Sequence, residues 1–220
     1  MGGCLAGSVS KAGDACLERI SLNEKEVVSI VLSGVGGQGT VLATNILGQA
    51  LVNGGFDVKT SEVHGMAQRG GSVMSAVRFG ARVKSPLVPA GSASFIIATE
   101  MLEGLRAAPY ILPEGIFIVS TSRIDPLSVL QGKASYPQDA IETIKRIAPG
   151  SIILDADAVA EKAGNRRAAN SVLLGVVSNF LPLGEETWFE VMESLMPQGV
   201  LEVNKNAFLA GRGFQSGEGA

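Results

Sequence analysis

The sequence predicts an α/β fold, a three-layer α/β/α sandwich around a mixed, mostly parallel sheet. Three observations carry this. Short apolar runs rich in β-branched residues alternate with stretches of helical periodicity, glycine or proline punctuates most junctions, and the 220 residues are 46% hydrophobic but only 18% charged. Disorder needs low hydrophobicity with high net charge, and 28 glycines with 9 prolines fall short of the roughly 25–30% typical of low-complexity chains. The length suits one α/β domain over residues 25–214, between an N-terminal tail (1–24) expected to be mobile and a short C-terminal tail (215–220).

The first element is the non-alternating apolar run Val27 to Ser33, which reads as a central strand covered on both faces. Gly34 to Gly39 make a tight turn. Thr40 to about Val52 then carries apolar residues at helical spacing and stops at Gly54-Gly55. Phe56 to Val63 and Ser72 to Phe79 read as two strands with no helix between them, so the sheet is expected to be mixed. Beyond a loop marked by Pro86 and Pro89, Phe95 to Ala98 is a buried strand, and Thr99 is the expected cap of a helix with Glu100 and Glu103 in its first turn. Ile116 to Ser120 follows as a strand, Pro137 opens a helix running to Ile147, and Ser151 to Leu154 is the last strand. The remainder is helical: Ala158 to Ala163, Ala168 to Leu181, Glu185 to Met196, and Gly199 to Leu209. Trp188, Phe189, Met192, Leu195 and Met196 form an apolar stripe that reads as core or subunit interface.

Composition excludes several functions. Eighteen basic against 21 acidic residues give a net charge of −3, without a block of like charges, so the electrostatic footprint of a nucleic-acid or membrane-surface binder is missing. The stretch between Glu26 and Asp57 has no charge, but its glycines and polar residues fit a buried strand, turn and helix, not a lipid-facing span. Cys4 and Cys16 lack the spacing of a metal site, and no metal is expected. The leader has no long apolar segment, and Ala6 stands where a myristoylation signal has Ser or Thr, which makes the cytoplasm the expected compartment.

Two loops are candidates for binding. Gly34-Val35-Gly36-Gly37-Gln38-Gly39 satisfies G-x-G-x-x-G between a strand and a helix, the Rossmann-like context in which backbone amides and the positive helix end seat a phosphate. Glu62 would then stand where a ribose-binding acid stands. The plainer reading is that such glycines serve close packing of strand and helix. The second loop, His64 to Ser72, holds the only histidine together with Gln68, Arg69, Gly70 and Gly71. The planar Arg69 guanidinium suits a carboxylate or phosphate, although a structural ion pair or an interchain contact explains it equally well. Asp155 and Asp157 end a strand and read as helix caps. There is no Gly-x-Ser-x-Gly elbow and no Walker loop, so hydrolase and nucleotide-kinase readings have no support.

The segments GVGGQGTVLATNIL, SEVHGMAQRGGSVMSAVRFG, ILDADAVAEKAGNRRAANSVLLG and VNKNAFLAGRGF together resemble the gamma-type domain of the 2-oxoacid:ferredoxin oxidoreductase family, over about residues 27 to 214. The form HGMAQRGGSV resembles the indolepyruvate branch in particular. The resemblance implies an accessory subunit in a complex that oxidatively decarboxylates an aryl pyruvate with coenzyme A and oxidised ferredoxin, giving aryl-acetyl-CoA, carbon dioxide and reduced ferredoxin. It also implies that thiamine diphosphate, magnesium and iron–sulfur clusters reside on a large alpha subunit, with no catalytic residue and no cofactor on this chain alone. The long small-residue leader is not part of the family pattern.

On that reading Gly34, Gly36, Gly37, Gln38 and Gly39, with His64, Gln68, Arg69, Gly70 and Gly71, face the partner's catalytic cleft or the passage of coenzyme A. Two other readings stand beside it. One is a free NAD(P)-dependent dehydrogenase, opposed by the lack of an obvious catalytic set and of room for a second domain. The other is a purely structural interaction module whose glycine loop binds nothing.

Overall fold

A computed structural model describes residues 27–64 and 71–214. Six strands form one sheet: β1 (Val28–Val35), β2 (Asp57–His64), β3 (Ser72–Gly80), β4 (Ala93–Ala98), β5 (Ile111–Ser120) and β6 (Ile152–Leu154). Their order is β2-β3-β1-β4-β5-β6. The neighbours β1, β4, β5 and β6 run parallel, and β3 runs antiparallel to both β1 and β2. The mixed sheet follows from the connections: β2 and β3 form an antiparallel pair, which needs no crossover helix, whereas the parallel steps from β4 to β5 and from β5 to β6 each pass through helices.

The sheet is covered on both sides. Helices α1 (Thr40–Asn53), α5 (Ala156–Lys162), α6 (Ala169–Ser178), α7 (Glu185–Leu195) and α8 (Gln198–Arg212) build one layer. Helices α2 (Met101–Ala107) and α4 (Ala140–Ile147) build the other, and α3 (Leu127–Leu130) is a single turn in the loop after β5. Alternation along the strands divides the core. Ile30, Leu32, Phe95, Ile97 and Ile118 point into the larger layer, while Val31, Ile96, Ala98, Phe117 and Val119 point into the smaller. All are essentially inaccessible, each large side chain contributing about 1.5–3 kcal/mol through burial.

The large layer centres on α6, whose Val172, Leu173, Leu174, Val176 and Val177 are all buried, as expected of a helix that is apolar all round. It crosses α8 so closely that a Cβ on Gly175 would strike the Phe208 carbonyl and one on Gly211 the Val172 carbonyl. Here the missing side chain permits backbone contact. The α7 stripe is core: Trp188 and Met192 are fully buried and Trp188 packs on Phe208 at 5.3 Å between ring centres, although Leu195 remains exposed.

Several boundaries differ from the sequence reading. The cap of α2 is Glu100, whose carboxylate accepts from the Glu103 amide at 2.9 Å, and Thr99 instead faces the glycine loop. Strand β5 begins at Ile111, five residues earlier than the apolar run suggests, because Pro113 and Gly115 read as breakers. Gly115 is needed there, since a Cβ would collide with the Ile111 side chain and the Ala93 carbonyl. Pro137 precedes a turn, and α4 starts at Ala140 after Asp139. The short α3 falls between Ser120 and Pro137, a stretch to which the sequence reading assigns no element. Among the described residues no helix is long and apolar enough to cross a membrane.

Candidate functional site: a cleft at the carboxyl ends of the parallel strands

The connection leaving β1 enters α1 on one face of the sheet, and that leaving β4 enters α2 on the other. The loops after these adjacent parallel strands therefore diverge, which opens the crevice where ligands of α/β sheets bind. A cavity of about 500 Å³ occupies it. Its walls come from the glycine loop (Gly37, Gln38), the end of β4 (Thr99), the loop after β5 (Ser122, Arg123, Ile124) and the segment leading into α6 (Arg166, Arg167, Asn170), with Asp157 from α5.

The glycine loop is tightly tied. The Gln38 Oε1 accepts from the Val35 amide and from the Thr99 hydroxyl, both at 2.7 Å, and Asn170 donates its Nδ2 to the Gln38 carbonyl at 2.6 Å. Gly34 is the close-approach glycine, because a Cβ would overlap Thr99 Oγ1. Gly37 and Gly39 hold φ of 102° and 79°, in the left-handed region that favours glycine. The Gly36 amide donates to the Gly71 carbonyl at 2.8 Å, joining the glycine loop to the end of the second loop. Thus Gly34, Gly36, Gly37, Gln38, Gly39 and Gly71 are one assembly. Only Gly37 and Gln38 of it line the cavity, and the Gln38 Oε1 is taken up by Val35 and Thr99. The His64 backbone closes β2 opposite Val73, whereas its side chain and Gln68, Arg69 and Gly70 lie outside the described residues.

The carboxylate Glu62 is level with Ser75 and Leu32 on β2, and β3 separates it from β1. Two strand spacings, roughly 9–10 Å, thus part it from the strand that carries the glycine loop. It does not occupy the ribose-binding place of a dinucleotide site, where the second strand directly neighbours the first.

The cationic wall was not singled out in the sequence. Arg166 pairs with Asp157 at 2.8 Å, and Asp157 also accepts from the Ser122 hydroxyl at 2.6 Å. Its hydrogen bond and negative charge hold Arg166 above the ordinary arginine range. Asp155 caps α5, accepting from the Ala158 amide at 2.9 Å, but Asp157 does not cap: it belongs to this cleft. Arg167 lines the same cavity from the turn before α6. The signal available in the sequence was the paired arginine in GNRRAAN just before an apolar helix, and the Ser-Arg immediately after a buried strand.

Arg123 is set by a second, buried group. Its Nε binds Asp125 at 2.7 Å, which raises its pKa, and its guanidinium lies 4.2 Å from the centre of the Tyr136 ring. Tyr136 in turn donates to Glu100 at 2.5 Å. Burial first, and then the bond to Glu100, push the Tyr136 phenol well above its ordinary value.

Among the described residues no three His, Cys, Asp or Glu side chains are placed to hold a metal ion. An iron–sulfur cluster takes four thiolates and the whole chain has two cysteines, so its donor set does not fit such a cluster.

An α/β body with a glycine loop and a cationic cleft at its strand ends is a form that many unrelated functions share, and comparison narrows it. Residues 29–214 match the family model described as pyruvate ferredoxin/flavodoxin oxidoreductase, and the chain belongs to that family. It is 38% identical over 188 residues to the "Indolepyruvate oxidoreductase subunit IorB" of Archaeoglobus fulgidus, covering 84% of this chain and 93% of that one. The protein of the same name from Pyrococcus horikoshii is 39% identical over 187 residues, covering 82% and 92%. Among solved structures, the keto/oxoacid ferredoxin oxidoreductase gamma subunit of Geobacter sulfurreducens shares the fold with a TM-score of 0.59 at 22% identity, covering 84% of this chain and 95% of that chain. The 2-oxoglutarate:ferredoxin oxidoreductase of Magnetococcus marinus gives 0.65 at 22% identity, covering 86% of this chain but 31% of that longer one.

Proposed function

We propose that this chain is the accessory subunit of an indolepyruvate:ferredoxin oxidoreductase. The observation that carries the reading is the match to IorB subunits across more than nine-tenths of their length, in a family of 2-oxoacid oxidoreductases. The chain completes a reaction centre held by a large alpha subunit, which supplies thiamine diphosphate, magnesium and iron–sulfur clusters and hands electrons to ferredoxin. Its own contribution is binding and orientation: the glycine loop and the loop of residues 64–71 border the partner's catalytic cleft, and the adjoining cavity takes the phosphates of coenzyme A.

Support comes from chemistry. Gly37, in left-handed backbone just ahead of α1, borders the cavity beside the positive end of that helix, and Arg123, Arg166 and Arg167 line it with Asp157 as the acidic residue of the lining, while Asp125 holds Arg123. Arg69 is the further candidate anion ligand of the second loop. The compartment is the cytoplasm on this reading.

Reconstitution tests it. Purified alone, the chain should be colourless, free of iron and inactive. Combined with a large thiamine-diphosphate and iron–sulfur alpha subunit, it should give ferredoxin reduction that depends on both indolepyruvate and coenzyme A. Redox turnover by the chain alone, or a large subunit fully active without it, defeats the reading. Arg69→Ala should raise the KM for coenzyme A in an assembled complex, and wild-type kinetics would remove Arg69 from the site.

A further inference from the structure

Glu100 is a carboxylate with no solvent exposure, a costly arrangement unless its oxygens are saturated. They are. Oε2 accepts from the Glu103 amide at 2.9 Å, and Oε1 accepts from the Ile124 amide at 3.2 Å and from the Tyr136 hydroxyl at 2.5 Å. The Tyr136 oxygen also accepts from the Leu102 amide at 3.2 Å. Capping α2 needs only the first of these bonds. The other two reach into the loop after β5, and that loop is held from other sides as well: Met101 donates to the Ser122 carbonyl at 3.1 Å and Thr121 to the Leu154 carbonyl at 2.9 Å. The charged side chain this anchored segment contributes to the cavity is Arg123, which sits over the ring of the same Tyr136.

We propose that Glu100 and Tyr136 form a buried clamp that positions Arg123 in the cleft. Glu100 fixes the backbone on the C-terminal side of Arg123 through Ile124, and Tyr136, oriented by its hydrogen bond to Glu100, supplies the ring over which the guanidinium sits at 4.2 Å. A free arginine loses substantial rotamer entropy on engaging a ligand; one already stacked and tethered loses less. Glu100 and Tyr136 are therefore positioning residues that touch no ligand and act through Arg123. This rests on the reading of the cleft as the seat of coenzyme A phosphates.

The test is a double-mutant cycle on the assembled complex, repeated by calorimetric titration of the full chain with coenzyme A. Arg123→Ala and Tyr136→Phe should each raise the KM or Kd for coenzyme A by about tenfold, the equivalent of one hydrogen bond to a charged group, with kcat held within about twofold. The double variant should be no worse than Arg123→Ala alone. Glu100→Gln, which keeps the side chain's shape, should follow Tyr136→Phe. Additive effects, or a Tyr136→Phe that lowers the melting temperature without moving the KM or Kd, overturn the clamp and leave the cleft assignment intact. If Arg123→Ala leaves both constants unchanged, cleft and clamp fall together. If the complex proves inactive the proposed function fails, and the calorimetric arm still decides the clamp.

Discussion

The Asn170 side chain donates its Nδ2 to the Gln38 carbonyl at 2.6 Å, across 132 residues of sequence. This bond joins the head of α6 to the glycine loop, and so couples the two sides of the cleft. Removing it leaves a partly buried carbonyl without its donor and frees the loop that carries Gly37. Asn170→Ala should cost about 1–2 kcal/mol in urea unfolding and raise the KM for coenzyme A, whereas unchanged stability would show the bond to be dispensable.

Gly34→Ala probes the loop from beneath. The new methyl group must displace the Thr99 hydroxyl, and with it the 2.7 Å bond to Gln38. A destabilisation of about 1–3 kcal/mol is expected, together with weaker ligand binding. The check is urea unfolding alongside the calorimetric titration.

The crossing of α6 and α8 is less forgiving. At Gly175 and Gly211 the obstacle is backbone, which has no alternative rotamer. Either residue changed to alanine should lose at least about 3 kcal/mol and appear largely as insoluble protein, and a soluble variant with an unshifted melting temperature would contradict the packing.

Tyr136 has a folded-state pKa raised above that of the unfolded chain. The stability it contributes is whole below pH 10, the ordinary tyrosine value, and drains away as pH rises toward the folded pKa. In a stepwise alkaline titration followed by phenolate absorbance, Tyr136 should ionise only when the chain unfolds. Tyr136→Phe should remove that late component, and its persistence in the variant would assign it elsewhere.

Asp57 shifts the opposite way. The Val83 amide, donating at 2.7 Å, and then Lys59 lower its pKa below 3.8. Its contribution is present above that unfolded value and lost as pH falls through the lower folded one, so Asp57→Asn should flatten the stability profile only below about pH 4.

Much of the fold was legible because its signals are local. The β-branched run before Gly34 could bury both faces only as a central strand, and the adjacent strands around residues 64–71 had to make the sheet mixed. The glycine loop announced itself by spacing, and Gly37 and Gly39 do adopt left-handed backbone. Less legible was β5, since Pro113 and Gly115 carry the marks of a break and the strand runs through them because Ile111 pairs with Ala93 and Ile116 with Phe95 across a bulge in β4 and β5.

Local signals along the chain were enough for the layers, the mixed sheet, the glycine loop and, through resemblance, the family. Only the packed chain places Glu62 two strands from the glycine loop, sets Asp157 against Arg166 rather than an amide, and brings the buried carboxylate of Glu100 to the Ile124 amide. The reason is physical. Helix and strand periods and turn chemistry act over a few neighbouring residues, whereas a cleft at the carboxyl ends of strands is built from the ends of separate elements. Which ends meet there depends on strand order, a property of the whole packed chain.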